Sequence, residues 1–307
     1  MKDITDLLHK RAQMLALTRR FFAEKNIIEV DCPAVLTFPN LDDHIDVIKL
    51  HVTPNRYLHT SPEYAMKRLL AAGAPAIYQL SHVYRKGEIG PLHNPEFTLV
   101  EWYRKNVTFS FFLNETLDFI RLFVGPVPYH KMSYREAFFR FGNIDYTTAD
   151  IEALKQLLKE NNIDFASDTA LDKDGYLHLI FSHIVEPNLP KEELIVIYDY
   201  PANQAALAQT KEKADEMVAE RFEIFYQNIE LANGYHELTD PAEQRKRFET
   251  SLAKKEEKFP LDEKFLQAME KGFGDCFGVA IGFDRLLMLH LNKSSIHDVI
   301  PFSWEDI

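Results

Sequence analysis

Apolar residues along this chain recur with two periods, and the switches between them mark out its elements. Residues 3–25, beginning at Asp3, carry Leu8, Leu15 and Phe22 on one helical stripe, with basic residues toward the C-terminal end. They predict an opening helix that Asn26 ends. A short strand over 27–30 runs into Cys32-Pro33, a strand end where no ladder hydrogen bond is asked of the proline. Residues 45–52 and 57–59 predict further strands, separated by Thr53-Pro54-Asn55. Ser61-Pro62-Glu63 then starts a helix: serine suits the N-cap, proline the first helical position, and a carboxylate the positive end of the dipole. That helix is expected to run to Ala72 and stop at Gly73.

The period then changes to two. Residues 76–84 are rich in aromatic and branched side chains, residues 97–103 alternate, and the loop between them holds glycine, proline and mixed charge. In a strand, side chains two apart share a face, so Phe97, Leu99, Glu101 and Tyr103 lie together, with Thr98, Val100 and Trp102 opposite. The facing strand puts Gln79, Ser81, Val83 and Arg85 on one side. An arginine, an aromatic ring, a carboxylate and a phenol can thus converge on one sheet surface. A half-buried hairpin with a chance salt bridge fits this pattern equally well, and Glu63 could serve only the helix dipole.

Downstream, residues 109–124 form an amphipathic helix broken by Gly125-Pro126, and 133–190 read as mostly helical, over 134–141, 150–160 and 176–184. Nothing in that region suggests chemistry, so it is expected to be an inserted packing module within a single domain spanning 1–307. LIVIYDY, 194–200, is a buried strand, and 211–216 is a charged connection, most simply a solvated turn. In 217–238 the carboxylates Glu223, Glu230 and Glu237 cluster, and Asn233-Gly234 is the dipeptide of a two-residue hairpin turn. Helices over 241–257 and 262–271 precede a small-residue strand, 278–282, and a last helix, 283–291. Glycine at the end of that strand would let a flat ligand lie against the backbone. Arg285 stands in the first turn of the last helix, where its charge opposes the dipole, which suggests that it faces an anion. The elements together predict an α+β fold, an antiparallel sheet flanked by helices.

Composition narrows the function. With 307 residues, 46% of them hydrophobic, a sizeable core can form. Two distant cysteines, Cys32 and Cys276, argue against a disulfide framework or a structural zinc. No apolar signal core or membrane-length run occurs, so a soluble, cytoplasmic protein without a membrane partner is expected. A net charge of −12 argues against gripping nucleic acid through many phosphates. The GxGxxG, Walker, HExxH and GxSxG patterns are all missing.

Three stretches stand in a familiar order. The opening helix and strand ending at Pro33 resemble motif 1 of the class II aminoacyl-tRNA synthetases. The hairpin 78–104 resembles motif 2, and GVAIGFDRLLML, 278–289, resembles motif 3. HNPEFTLVEWY (93–103) and ELANGYHELTD (230–240) look most like the lysyl branch. Motif 1 begins within the first residues, which leaves no room for the N-terminal OB-fold that reads the anticodon in lysyl-tRNA synthetases. The chain is therefore similar to the free-standing lysyl-like domains that attach (R)-β-lysine to a lysine of elongation factor P.

That resemblance implies an ATP-dependent, AMP-forming ligase and gives each residue a role. Arg85 would hold the α-phosphate and the substrate carboxylate, and Arg285 would clamp the nucleotide; these two are the catalytic candidates. Phe97 would stack on adenine, His93 and Asn94 would orient the nucleotide, and Lys86, Glu88, Leu231 and Gly282 would line its site. Glu223 and Glu230 would bind Mg²⁺, Glu230 contacting ATP as well. Glu63 would pair with one substrate ammonium, and Glu101, Tyr103 and Glu237 would surround the other. Ser61, Pro62, Asn233, Tyr235 and Ala280 would complete the pocket, which fits lysine or (R)-β-lysine. Lysyl synthetases usually have glycine where Ala280 stands, and one methyl can shift specificity by ~1–3 kcal/mol. The family's motif 2 runs Arg-x-Glu, but Gly87 stands at the glutamate's place here, so Glu88 or a Gly87 backbone group must replace it. Class II domains like this one pair through motif 1, which implies a homodimer. Two alternatives remain at this stage: a minimal synthetase charging tRNA, and a non-catalytic amino-acid sensor.

Overall fold

The computed structural model describes residues 4–42, 45–164, 171–255 and 257–307. Asp3 and residues 165–170 of the expected packing module lie outside them. The chain divides into two compact units, Met1–Pro126 with His236–Ile307, and Val127–Tyr235.

In the first unit, helix α1 (Ile4–Glu24) buries Leu7, Met14, Thr18, Phe21 and Phe22. The buried stripe is thus one line over from the Leu8–Leu15 line expected, and Leu8 is exposed. Of the expected line only Phe22 is buried, its ring stacked on Tyr78 at 4.1 Å. Strand β1 (Ile28–Glu29) follows, then a small sheet of β2 (Val35–Leu36), β3 (Lys49–Leu50) and β4 (Arg56–Leu58), with β4 central. The longer strand expected over 45–52 contracts to β3 because β4, its partner, is only three residues long. Helix α2 (Glu63–Ala71) comes next, with Gly73 beyond its end at φ 107°. The N-cap is Pro62, one place later than the expected Ser61, whose hydroxyl still accepts from the Glu63 amide just ahead of the helix.

Strands β5 (Ala76–Tyr84) and β6 (Glu96–Lys105) form the antiparallel hairpin, in the register that sets Gln79 opposite Glu101 and Val83 opposite Phe97. β1 lies parallel to β5. Helix α3 (Phe109–Val124) packs Phe119 and Phe112 against Trp102 on the face away from Glu101. Trp102 is wholly buried and donates to Glu115.

The second unit opens with β7 (Tyr129–Ser133), a strand that sequence periodicity passes over because three of its five residues are exposed. Helices α4 (Tyr134–Gly142), α5 (Ile151–Glu160) and α6 (Lys173–Ile180) follow, the last widening into a π turn (Phe181–Val185) before a 3-10 turn that ends at Asn188. Strands β8 (Leu194–Pro201), β9 (Thr210–Lys213), β10 (Glu216–Tyr226) and β11 (Ile229–His236) complete it. β7 runs parallel to β8, while β8, β10 and β11 pair antiparallel and β9 borders β10. Tyr134, Phe138, Phe181 and Tyr200 centre its core. Two expectations fail here. Residues 211–216 are not a plain turn but the end of β9, a tight Ala214-Asp215 reversal and the start of β10. The turn between β10 and β11 is Gln227-Asn228, both at positive φ (51° and 60°), so Asn233-Gly234 stays within a strand.

The chain returns to the first unit through α7 (Pro241–Lys254), α8 (Glu263–Lys271), β12 (Cys276–Gly282) and α9 (Phe283–His290). β12 pairs antiparallel with β6, setting Gly278 opposite Tyr103 and Ala280 opposite Glu101. The mostly antiparallel strands and flanking helices make the α+β class expected.

One buried ion pair ties three elements of this unit together. Arg11 Nη1 lies 2.6 Å from Asp284 Oδ1, with side chains 12% and 3% exposed. Arg11 Nη2 donates to Thr98 Oγ1, and the Thr98 amide donates to Asp284 Oδ2, each at 2.7 Å. Arg11→Met alone should cost ~3–5 kcal/mol in denaturant unfolding, because it leaves Asp284 buried without its cation. Adding Asp284→Asn should cost much less than the sum of the two single changes; additive losses would show that the pair is not coupled.

Candidate active site

Alternation along β6 carries Glu101 and Tyr103 onto one face of the first unit, and the start of α2 brings Ser61 and Glu63 to the same place. Glu101 is 3% exposed and both its oxygens are occupied: Oε2 accepts from the Ser61 hydroxyl at 2.7 Å and Oε1 from the Tyr103 hydroxyl at 2.6 Å. Burial, with a further push from Glu63, raises its pKa to about 7. Glu237, just past β11, is fixed by its amide donating to the Cys276 carbonyl. Its carboxylate lies 2.6 Å from the ammonium of Lys67, which is also 2.6 Å from Glu63. Burial pushes Glu237 up despite that cation. The two carboxylates hold Lys67 protonated, its pKa raised against the opposing effect of burial. Glu63 therefore does more than complement the dipole of α2. Pro62, at the N-cap, is buried beneath this cluster's entry to the helix.

Gly278 explains why Tyr103 and Glu237 can lie where they do. A Cβ at this position would fall inside van der Waals contact of both the Glu237 carboxylate and the Tyr103 ring. Ala280, two residues on and opposite Glu101, is partly exposed. It stands on the same face as Gly278.

A second group in this unit is cationic and aromatic. Arg85 places its guanidinium 5.0 Å from the Phe97 ring centroid and 3.7 Å from the Glu88 carboxylate. Gly87 sits at φ 78°, a conformation that favours glycine, and the tight turn it allows carries Glu88 back toward Arg85. Glu88 thereby lies beside the arginine although it stands one place late in sequence. Lys86 is exposed, and its amide donates to the Asp46 carbonyl. At the start of α9, after Gly282 as N-cap, Arg285 donates to the Leu92 carbonyl at 3.3 Å and lies 2.8 Å from His93 Nε2. Asn94 is buried: its amide nitrogen donates to the Glu96 carbonyl and its oxygen accepts from the Trp304 amide. It shapes the loop that carries His93. Arg85 Nε is buried and makes no hydrogen bond among the described residues. An uncommitted donor on a guanidinium suits an incoming anion.

The second unit holds the remaining candidates. Glu223, on β10 opposite Asn233 of β11, accepts from the Tyr200 hydroxyl at 2.6 Å and is paired with Arg221. Arg221 also reaches Asn233 Oδ1 at 3.3 Å and lies over the Tyr200 ring. Burial raises the Glu223 pKa, and the negative charge of Glu230 adds to the rise. Tyr235 stands opposite Arg221 in the ladder, and Leu231 is core at 2% exposure. Glu223 is a hard oxygen donor of the kind magnesium takes, its two oxygens here engaged by Tyr200 and Arg221.

Sequence reasoning passed over three residues. Lys67 was detectable as the i+4 partner of Glu63 on a helix, but nothing local indicates that it is fully buried. Arg221 stands two before Glu223 on one strand face, a signal of the same weak kind. Gly278 carries none.

The family model described as tRNA synthetases class II (D, K and N) matches residues 1–305. The chain is 42% identical over 307 residues to the elongation factor P–(R)-β-lysine ligase of Edwardsiella ictaluri (strain 93-146), covering 96% of this chain and 94% of that protein. It is also 42% identical over 312 residues to the ligase of the same name from Salmonella typhi, at 98% and 95% coverage. With motif geometry, family match and relatives in agreement, the chain belongs to the class II tRNA synthetase family.

Proposed function

We propose that this protein uses ATP to activate (R)-β-lysine, or lysine, as the aminoacyl-adenylate and passes it to the ε-amine of a lysine on elongation factor P. The observation that carries the substrate class is the largely buried cluster of Glu63, Glu101 and Glu237 gathered around the cation Lys67. Excess buried negative charge is costly unless cations arrive to pair with it. A substrate with two ammonium groups supplies them, and an acidic or neutral amino acid does not. The relatives' names supply the acceptor.

The chemistry follows from these groups. The substrate carboxylate attacks the α-phosphorus of ATP, the bond to the β-phosphate oxygen breaks, and pyrophosphate leaves. The neutral amine of the acceptor lysine then attacks the activated carbonyl; AMP departs and the amine sheds a proton to solvent. Arg85, with its uncommitted Nε, would hold the α-phosphate and the reacting carboxylate, and Arg285 the nucleotide beside His93. Phe97 would stack on adenine. Glu88, beside Arg85, would take the place of the motif 2 glutamate. Glu223 and Glu230 would donate oxygens to Mg²⁺, which when bound neutralises phosphate charge, while Arg221 orients Glu223. Ser61 holds Glu101, and Gly278 and Ala280 would floor the amino-acid site. Pairing of two copies through the motif 1 region belongs to the same proposal; Ile28 on the outer strand β1 is 53% exposed.

The direct test supplies radiolabelled (R)-β-lysine or lysine with ATP, giving elongation factor P and bulk tRNA in parallel. Label on the factor is expected. Label on tRNA alone would support a tRNA-charging enzyme, and label on neither, without pyrophosphate exchange, a sensor. Gly278→Ala should raise KM for the amino acid by roughly 10–100-fold, equivalent to about 1–3 kcal/mol, with KM for ATP little changed. Equal effects on both substrates would mean that the glycine serves the fold alone.

Acidity should matter as well. Glu101 rises from 4.5 to about 7 on folding, so the folded protein holds a proton that the unfolded chain has released. Its contribution to stability is therefore present below about 4.5 and is lost as pH climbs to about 7. A bound ammonium favours the ionised form. The Kd for lysine should accordingly weaken roughly tenfold per pH unit below about 7. Thermal melts should show a larger lysine-induced rise in Tm at pH 8 than at pH 6, and a flat profile would remove Glu101 from the site.

A further inference from the structure

Lys67 stands in none of the roles assigned above, yet it is the most completely buried cation of the first unit. Its side chain, on α2, is 0% exposed. Its Nζ lies 2.6 Å from Glu63 Oε1 and 2.6 Å from Glu237 Oε2. Glu101 feels its charge as well. Among the described residues, the Tyr103 phenol on β6, the Cys276 thiol on β12 and the Cys32 thiol also feel this cluster. Burial pushes all three upward, so all three stay neutral around pH 7. Once all three carboxylates are ionised, the form that bound ammonium groups favour, they outnumber the ammonium of Lys67 by two.

Resting on the proposed diamino-acid reading, we infer that Lys67 is the specificity-setting positioning residue of this pocket, fixing its charge at minus two so that a substrate with two ammonium groups balances it. It touches carboxylates rather than substrate, and it acts through Glu63 and Glu237. Without it, three buried carboxylates would face two substrate cations, and one charge would stay unpaired. Neutralising one carboxylate while Lys67 remains errs in the opposite direction, leaving minus one for two cations.

The charge balance predicts an effect that reverses sign with background. In the otherwise native protein, Lys67→Met should raise KM for lysine in pyrophosphate exchange at least tenfold, with KM for ATP unchanged. In a Glu63→Gln protein, the same Lys67→Met change should lower KM for lysine, because the pair of substitutions restores minus two. A purely structural lysine would weaken binding in both backgrounds, and that result would overturn the inference. If Lys67→Met alone fails to fold, comparing Glu63→Gln with the double variant still decides the matter. Failure of the underlying reading looks different: the native protein would then activate neither lysine nor (R)-β-lysine.

Discussion

The candidate site depends on one electrostatic constraint: buried carboxylates must be paired, and this cluster holds more of them than its own cation can satisfy. Glu101, Glu237 and Lys67 are almost wholly buried, and Glu63 is partly so. An isolated buried charge costs several kcal/mol even after relaxation, so the fold supplies hydrogen bonds wherever it can. Ser61 and Tyr103 donate to Glu101, and Lys67 bridges the other two. In the proposed function, the excess of carboxylates over the ammonium of Lys67 is what selects a substrate with two cations. The upward shift of Glu101 expresses the same demand as a proton held until something better arrives.

The surrounding architecture makes the constraint bearable. Strand alternation on β6 sends Glu101 and Tyr103 to one face and Trp102 to the other, where Trp102 packs among Phe22, Phe112 and Phe119. The apolar face anchors the strand, so the polar face can carry unsatisfied charge without shifting register. Gly278 on the next strand removes the one side chain that would push Tyr103 and Glu237 away. The Arg11–Asp284–Thr98 network performs a related task, locking the residues next to Phe97 and Arg285. Both residues assigned to the nucleotide thus follow a fixed neighbour.

Much of this was legible beforehand where the signal is local. The hairpin strands, the helix after Ser61-Pro62, the helix over 109–124 and the face shared by Glu101 and Tyr103 all follow from periodicity and capping. Where a local rule competes with tertiary packing, it misleads. Asn233-Gly234 has the composition of a hairpin turn, but Gln227-Asn228 takes the positive φ values because the β10–β11 register closes there. On α1 the buried stripe runs through Leu7, Met14 and Phe21, and of the expected line only Phe22 joins it. β7 gave no alternation to detect.

The sequence by itself determined the family, the order of its motifs and the residue types available for chemistry, because covalent spacing sets which side chains share a strand face or a helix turn. Only the tertiary structure decided which of those groups meet. Glu63 and Glu237 are 174 positions apart and Lys67 lies beyond solvent between them, so their union depends on chain folding rather than on any local pattern. Burial, which no spacing encodes, turns these carboxylates from ordinary surface acids into a site that calls for two positive charges. At Tyr78–Arg104 the sequence could offer either a salt-bridged hairpin or the wall of a site, and only the folded chain gathers Glu63, Lys67 and Glu237 against the Glu101 face of β6.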